Sequence, residues 1–166
     1  MGWSTAKAAS QNAAFYADAA TVTLQHGETL TLYAILYKLD ETSGDVTLPG
    51  KDGEPNTTDD VTVTPPKGGT ITPGNGFVTA PSGSEIKLPG GNKVTVTTGP
   101  VHVYPDGSVY VPEGSKVTDK GGSEVTGPAA VSYTHLISKA ENLTSKHTKP
   151  PSRNGNANTI SAFIMR

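Results

Sequence analysis

The sequence predicts a mainly β protein built from short strands and many turns. Glycine and proline, which mark turns, number 19 and 13 in a chain of 166 residues. Valine alternates with threonine or other residues in short runs such as VTVTT and VHV, the pattern of a strand with one buried face. Over residues 61–127 these runs recur about every eight residues, and most end in a Pro-x-Gly turn.

The repeat of residues 61–127 reads TITPGNGF, VTAPSGSE, IKLPGGNK, VTVTTGPV, HVYPDGS, VYVPEGSK and VTDKGGSE. Proline fixes φ at the first turn position, and glycine accepts the positive φ that closes the turn. The sequence predicts either a β-solenoid or roll, with successive strands on opposite walls, or a β-meander of paired hairpins. We favour the solenoid because it buries its apolar face without outside help. The expected core residues open the units: Ile71, Val78, Ile86, Val94, Val103, Val109 and Val117.

Residues 1–39 predict a hairpin module. The run ATVTLQHGETLTLYA alternates apolar and polar residues on either side of a turn at 26–28. Two strands of about five residues joined by such a turn form a hairpin with one apolar face. The aromatic residues upstream are candidates to cover that face: Trp3, Phe15 and Tyr16.

Two short motifs in this module, Gly2-Trp3 and Leu32-Tyr33-Ala34, carry a resemblance to a known family. Residues 2–36 resemble the C-terminal half of the Listeria–Bacteroides repeat, the B-repeat of internalin-type surface proteins. Leu36 departs from the family pattern, which usually closes with tryptophan. The resemblance implies a partial β-grasp-like module, used in tandem on secreted or wall-attached proteins, with no catalytic residue. It also implies an extracellular or cell-surface location.

The N-terminal run MGWSTAKAAS lacks the apolar core of a signal peptide. Any export signal is therefore expected elsewhere, in a longer protein of which this chain is a piece.

Residues 40–60 predict an acidic, solvated linker, since seven carboxylates stand against one lysine among Gly, Pro, Ser and Thr. The alternative is calcium binding, because carboxylate oxygens are hard ligands of the kind that calcium prefers. The spacing matches neither the D-x-D-x-D-G loop nor the calcium-binding roll motif. The alternative ligands are Asp40, Asp45, Asp52, Asp59 and Asp60.

Residues 128–166 predict a disordered tail without sustained periodicity. The tail carries five Lys and Arg residues against one Glu, whereas residues 1–127 are acidic overall. The string AAVSYTHL is also similar to translated adapter sequences at the ends of metagenomic reading frames. On that interpretation the tail is not native sequence and has no function.

Composition excludes several functions. The absence of cysteine excludes disulfides, zinc-thiolate sites and a catalytic thiol. A net charge of −2 gives no basic field for nucleic acid, and no apolar run is long enough to span a membrane. LPGGNK lacks the GK[ST] of a phosphate-binding loop, and no metal or cofactor is expected.

One aromatic group is a candidate binding surface: His102, Tyr104 and Tyr110. The two tyrosines flank one turn, and His102 alternates with Val101 and Val103, so it is expected to face solvent. These rings can stack on sugars or dock a partner, or they can simply form stabilising cross-strand pairs. A triad of Ser108, His102 and Asp106 can be drawn on paper, but no nucleophile elbow supports it.

The sequence as a whole predicts a non-catalytic structural or adhesive segment of a bacterial cell-surface or secreted repeat protein. A carbohydrate-binding accessory segment of a secreted hydrolase is the alternative, and a phage fibre segment is a further one. The expected partners are a host-surface or cell-wall protein or a glycan. Neither nucleic acid nor a membrane span is expected.

Overall fold

Short antiparallel strands make up the folded part of the chain. The structure, a computed structural model, describes residues 2–131, which form fifteen strands in three sheets and no α-helix. The prediction of a mainly β protein is confirmed. The disordered tail was expected from residue 128, but Ala129–Val131 form an edge strand of one sheet, so the prediction was wrong for these residues. The rest of the expected tail, from 132 onward, lies outside the described residues. No helix within residues 2–131 is long and apolar enough to cross a membrane.

A three-stranded sheet forms near the N-terminus, with strand order β2-β1-β3. Its strands are β1 (Gly2–Ser4), β2 (Phe15–Ala17) and β3 (Tyr33–Ile35). The central strand β1 pairs with both neighbours, so that Trp3 lies opposite Tyr16 on one side and Ala34 on the other. Trp3, Phe15 and Tyr16 are thus strand residues of this sheet and do not cover a separate hairpin.

The hairpin predicted at residues 21–34 does not form, although its turn does. The Glu28 N–H donates to the Gln25 carbonyl oxygen at 3.0 Å, but residues 21–32 pair with no strand. Residues 33–35 take β1 as their partner instead, so the first half of the predicted hairpin has no ladder to join. Its side chains are left in solvent, with Val22 37% and Leu24 48% exposed.

Two larger sheets contain the other twelve strands. The seven-stranded sheet has the order β14-β13-β10-β9-β6-β5-β4, and the five-stranded sheet has the order β15-β12-β11-β8-β7. The strands are β4 (Lys38–Leu39), β5 (Val46–Leu48), β6 (Val61–Thr64), β7 (Thr72–Pro73), β8 (Val78–Ala80), β9 (Glu85–Lys87), β10 (Lys93–Thr98), β11 (Val101–Val103), β12 (Val109–Val111), β13 (Lys116–Asp119), β14 (Glu124–Thr126) and β15 (Ala129–Val131).

Hairpins alternate between these two sheets along the chain. β7–β8 and β11–β12 lie in the five-stranded sheet, whereas β9–β10 and β13–β14 lie in the seven-stranded sheet. Consecutive strands therefore pair, as in the meander alternative, and consecutive hairpins change sheet. Pro-x-Gly turns occur both within hairpins and between the sheets. Pro105 lies in a hairpin turn, while Pro81 and Pro112 lie in links that cross from one sheet to the other.

One hydrophobic core joins the two larger sheets. Six of the seven residues expected to open the repeat units are 0–1% exposed, and Ile71 is the exception, since it only packs against the core from its edge. Most strands of these two sheets bury alternate side chains, as Val101 and Val103 of β11 do. The two sheets thus pack face to face around a layer of valines.

The repeat has a larger unit of 31 residues, equal to four strands. Val78 and Val109 are separated by this distance and occupy matching places in β8 and β12. Ser84 and Ser115, also 31 residues apart, close the two sheet-crossing turns and are both buried. Each donates its N–H to the carbonyl oxygen of the turn proline, at 3.1 and 3.0 Å.

The matching hairpins also carry matching ion pairs with the charges exchanged. Lys93 of β10 binds Glu85 of β9 at 2.6 Å, and Lys116 of β13 binds Glu124 of β14 at 2.9 Å. Glu85 corresponds to Lys116 in the 31-residue register, and Lys93 to Glu124. Both pairs lie at the surface, where such contacts add little stability.

Residues 40–60, expected to be a solvated linker, contribute a core strand. Val46 and Leu48 of β5 are 2% and 1% exposed, and β5 pairs with β4 and β6. The carboxylates lie in the turns on either side of β5. The linker prediction was wrong here because it rested on the many acidic residues and overlooked a three-residue V-x-L strand. Only the flanking turns resemble the predicted linker.

Replacing Leu48 with alanine should lower the free energy of unfolding by about 2–5 kcal/mol, because it removes buried atoms and leaves a cavity. Leu39→Ala is the matched control: Leu39 is 52% exposed in the adjacent strand, and its loss should cost less than about 0.5 kcal/mol. Urea denaturation of both variants measures the difference. Equal effects of the two substitutions would contradict the placement of β5 in the core.

Candidate functional site

The outer face of the five-stranded sheet carries an aromatic cluster. Val101 and Val103 of β11 point into the core, so His102 between them points outward and is half-buried. Tyr110 holds the equivalent outward place in β12, between Val109 and Val111. The two strands pair with His102 directly opposite Tyr110, and their ring centroids are 5.8 Å apart.

Phe77 completes this cluster and was missed by the sequence prediction. Its ring stacks on the His102 imidazole with centroids 4.2 Å apart and an interplanar angle of 18°. Phe77 immediately precedes β8, two positions before Thr79, which lies opposite His102 in the neighbouring strand. Continuing the alternation of β8 back by two residues would have placed Phe77 on the outer face. Phe77 ends the GNGF sequence, which was interpreted as a turn, so the alternation was not extended to it.

Tyr104 contacts the cluster from a turn. The Tyr104 N–H donates to the Ser108 carbonyl oxygen, and the Gly107 N–H donates to the Tyr104 carbonyl oxygen, both at 3.0 Å. This turn orients the Tyr104 ring at 5.5 Å and 55° from Phe77. Tyr104 is only 8% exposed. The structure therefore brings together all three predicted residues, but it leaves mainly His102 and Tyr110 available to a ligand, with Phe77 beside them.

Burial holds the cluster in its uncharged form. It lowers the pKa of His102 below the ordinary value of 6.5, because a charged imidazolium is poorly solvated between two rings. Burial, with a smaller contribution from the nearby Asp106 carboxylate, raises the pKa of the Tyr104 phenol. At neutral pH the surface therefore presents uncharged ring faces and edges, which suit stacking against an uncharged ring.

Ser108 and Asp106, which with His102 were considered as a possible catalytic triad, belong to the turn between β11 and β12. The Ser108 backbone N–H donates to Asp106 Oδ1 at 2.9 Å, and the Ser108 hydroxyl donates to the same oxygen. Such a serine–aspartate contact is a common way to close a turn. Among the described residues His102 makes ring contacts and no hydrogen bond to either side chain. The observed geometry is that of a structural turn.

The acidic loop at residues 50–60 is organised around one hydroxyl. Thr57 Oγ1 lies 2.6 Å from Asp59 Oδ1 and 3.1 Å from Asp60 Oδ1, and this contact is the main cause that lowers the pKa of Asp59. Asp59 Oδ2 also accepts the Asp52 N–H at 3.1 Å. Within residues 2–131 no group of three or more acidic, His or Cys side chains has the arrangement of a metal site.

Comparisons of the chain with protein-family models, with curated proteins and with solved structures find no match. What the aromatic cluster binds is therefore inferred from this chain's own residues.

Acidification should destabilise the fold through His102. Because the folded-state pKa lies below 6.5, the unfolded chain binds the proton more readily. This contribution to stability is present above pH 6.5 and is lost as the pH falls toward the folded-state pKa. His102→Gln should therefore lose less stability than the native chain between about pH 7.5 and about pH 5.5.

Urea denaturation at both pH values measures this difference. His26→Gln is the control, since His26 lies in an exposed turn far from the cluster in sequence. An identical pH dependence in the native chain and in His102→Gln would contradict the effect.

Proposed function

We propose that the chain is a non-catalytic structural and adhesive segment of a bacterial cell-surface or secreted repeat protein. The observation that carries this proposal is the alternation of hairpins between two sheets around one core. A fold of this kind lengthens by adding hairpins while each strand stays short. Such an arrangement suits a spacer whose reach depends on the number of repeats.

The proportions of the sheets support a spacer. Seven strands spaced by about 4.8 Å place the outer strands of the larger sheet about 29 Å apart, whereas a three-residue strand runs for about 10 Å. The long dimension of the sheet therefore lies across the strands, in the direction in which hairpins are added. The resemblance of residues 2–36 to B-repeats, which occur in tandem on surface proteins, supports the same function.

The aromatic cluster supports adhesion. The rings of Phe77, His102 and Tyr110 form a row that begins just before β8 and crosses β11 and β12. Each ring packs against its neighbour, which reduces the entropy cost of ordering these side chains on binding. Uncharged rings of this kind stack on sugar rings or pack against a protein partner. A host-surface or cell-wall protein or glycan is the partner we propose.

A carbohydrate-binding accessory segment of a secreted hydrolase is the second candidate function. The same row of rings favours it, because a row of aromatic side chains can follow a polysaccharide. The two proposals differ in ligand: the accessory segment would bind the polysaccharide that its hydrolase degrades, while the adhesive segment would bind wall or host-surface material.

A pull-down with insoluble material tests adhesion. The full chain is incubated with bacterial cell walls, with host-surface glycans on beads, and with plant polysaccharides such as cellulose and xylan. Tyr110→Ala should weaken retention by about two- to tenfold, since it removes one stacking ring. Tyr33→Ala is the matched control, because Tyr33 is an exposed tyrosine of the separate three-stranded sheet and should leave retention unchanged.

Retention by walls or host glycans supports the adhesive segment, and retention by plant polysaccharides alone supports the accessory segment. Failure of every material to retain the native chain would contradict adhesion. Release of soluble sugars from any of the polysaccharides would contradict a non-catalytic role.

A further inference from the structure

A polar groove lies on the outer face of the seven-stranded sheet. Its volume is about 540 Å³, within the usual range of about 300–1,000 Å³ for small-molecule sites. The floor is a row of outward side chains on three neighbouring strands, with Thr47 opposite Thr62 and Thr62 opposite Lys87. The walls are the loop at residues 56–60 and the turn at residues 88–91.

Lys87 lines this groove and contributes its only ammonium group. The ion pairs found within residues 2–131 use Lys93 and Lys116, so Lys87 has no carboxylate partner in this part of the chain. Lys87 lies directly opposite Lys93 in the sheet, but Glu85 neutralises Lys93. Lys87 is therefore the group that can attract an anion into the groove.

The loop wall of the groove offers hydrogen-bond acceptors. Asp60 is the only carboxylate among the lining residues, and its Oδ2 accepts the Asn56 N–H at 2.7 Å while its Oδ1 contacts the Thr57 hydroxyl. Each carboxylate oxygen can accept a further hydrogen bond, so Asp60 remains able to receive donors from a ligand. The groove thus combines a cation, an acceptor and several hydroxyl groups.

The chemistry of the lining favours a ligand that bears one carboxylate and several hydroxyls. Leu88 lines the groove but is 2% exposed, and the other lining side chains all carry a hydroxyl, amide or charged group. Gly90 and Gly91 leave the turn wall without side chains, and space remains open at Gly91. A sugar ring can approach such a wall closely and exchange hydrogen bonds with the threonine row.

We propose that this groove binds a uronic acid residue of an acidic polysaccharide. The sugar carboxylate binds the Lys87 ammonium, and ring hydroxyls donate to Asp60 and exchange hydrogen bonds with Thr62 and Thr47. This site lies on a different sheet from the aromatic cluster and does not depend on what that cluster binds. The chain therefore has two separate binding faces.

Calorimetric titration of the full chain with trigalacturonate tests this site. Lys87→Gln should weaken binding by about tenfold or more, because it removes a charge-assisted hydrogen bond. Thr62→Val, which keeps the side-chain shape, should also weaken binding. Lys67→Gln is the matched control, since Lys67 is an exposed lysine outside the groove. Binding to the native chain should weaken as salt concentration rises.

Two ligand controls separate the contributions. The fully methyl-esterified trisaccharide keeps the rings without the charge, and triglutamate keeps the charges without the rings. Both should bind more weakly than trigalacturonate. Equal binding of either one, absence of saturable binding, or full affinity in Lys87→Gln would overturn the proposal. Loss of binding in Tyr110→Ala alone would place the site on the aromatic cluster and would overturn it as well. Thermal denaturation of each variant verifies that it is folded.

Discussion

Burial of valine side chains between the two larger sheets is the interaction on which the rest of the structure depends. Most strands have only three residues, and an isolated hairpin of that length is not stable in water. Each strand contributes two or fewer inward aliphatic residues in most cases, as Val109 and Val111 of β12 illustrate. These residues form one continuous cluster, so the hairpins of the two larger sheets are held by the sheet that faces them.

This dependence on the facing sheet explains what the sequence could predict. Local patterns predicted the strands and turns of residues 61–127, because Val-x-Val runs followed by Pro-x-Gly are complete within eight residues. They could not predict that Tyr33 would pair with a strand at the N-terminus, since that contact joins residues about thirty positions apart. Local patterns also failed to predict β5. The acidic residues around Val46 and Leu48 favoured a linker more strongly than a three-residue alternation favoured a strand.

The candidate site was predictable to the same extent. Alternation with buried valines predicted from sequence alone that His102 faces outward, whereas Tyr110 was named only because it flanks the same turn. The burial of Tyr104 depends on how its turn packs, and the stacking of Phe77 depends on the pairing of β8 with β11, which is a contact between sheet neighbours distant in sequence. The polar groove was harder still to predict from sequence, because Lys87, Thr62 and Thr47 come from three strands and form a row only when those strands pair.

The exchanged charges of the two matching ion pairs have a consequence for assembly of the repeats. Similar repeats risk pairing a strand with the counterpart of its proper neighbour. If β9 paired with β14 in place of β10, Glu85 would meet Glu124, and the like charges would repel. A weak surface contact can thus discriminate against mispaired strands and against exchange of hairpins between two chains. Its value lies in folding fidelity more than in the strength of the native state.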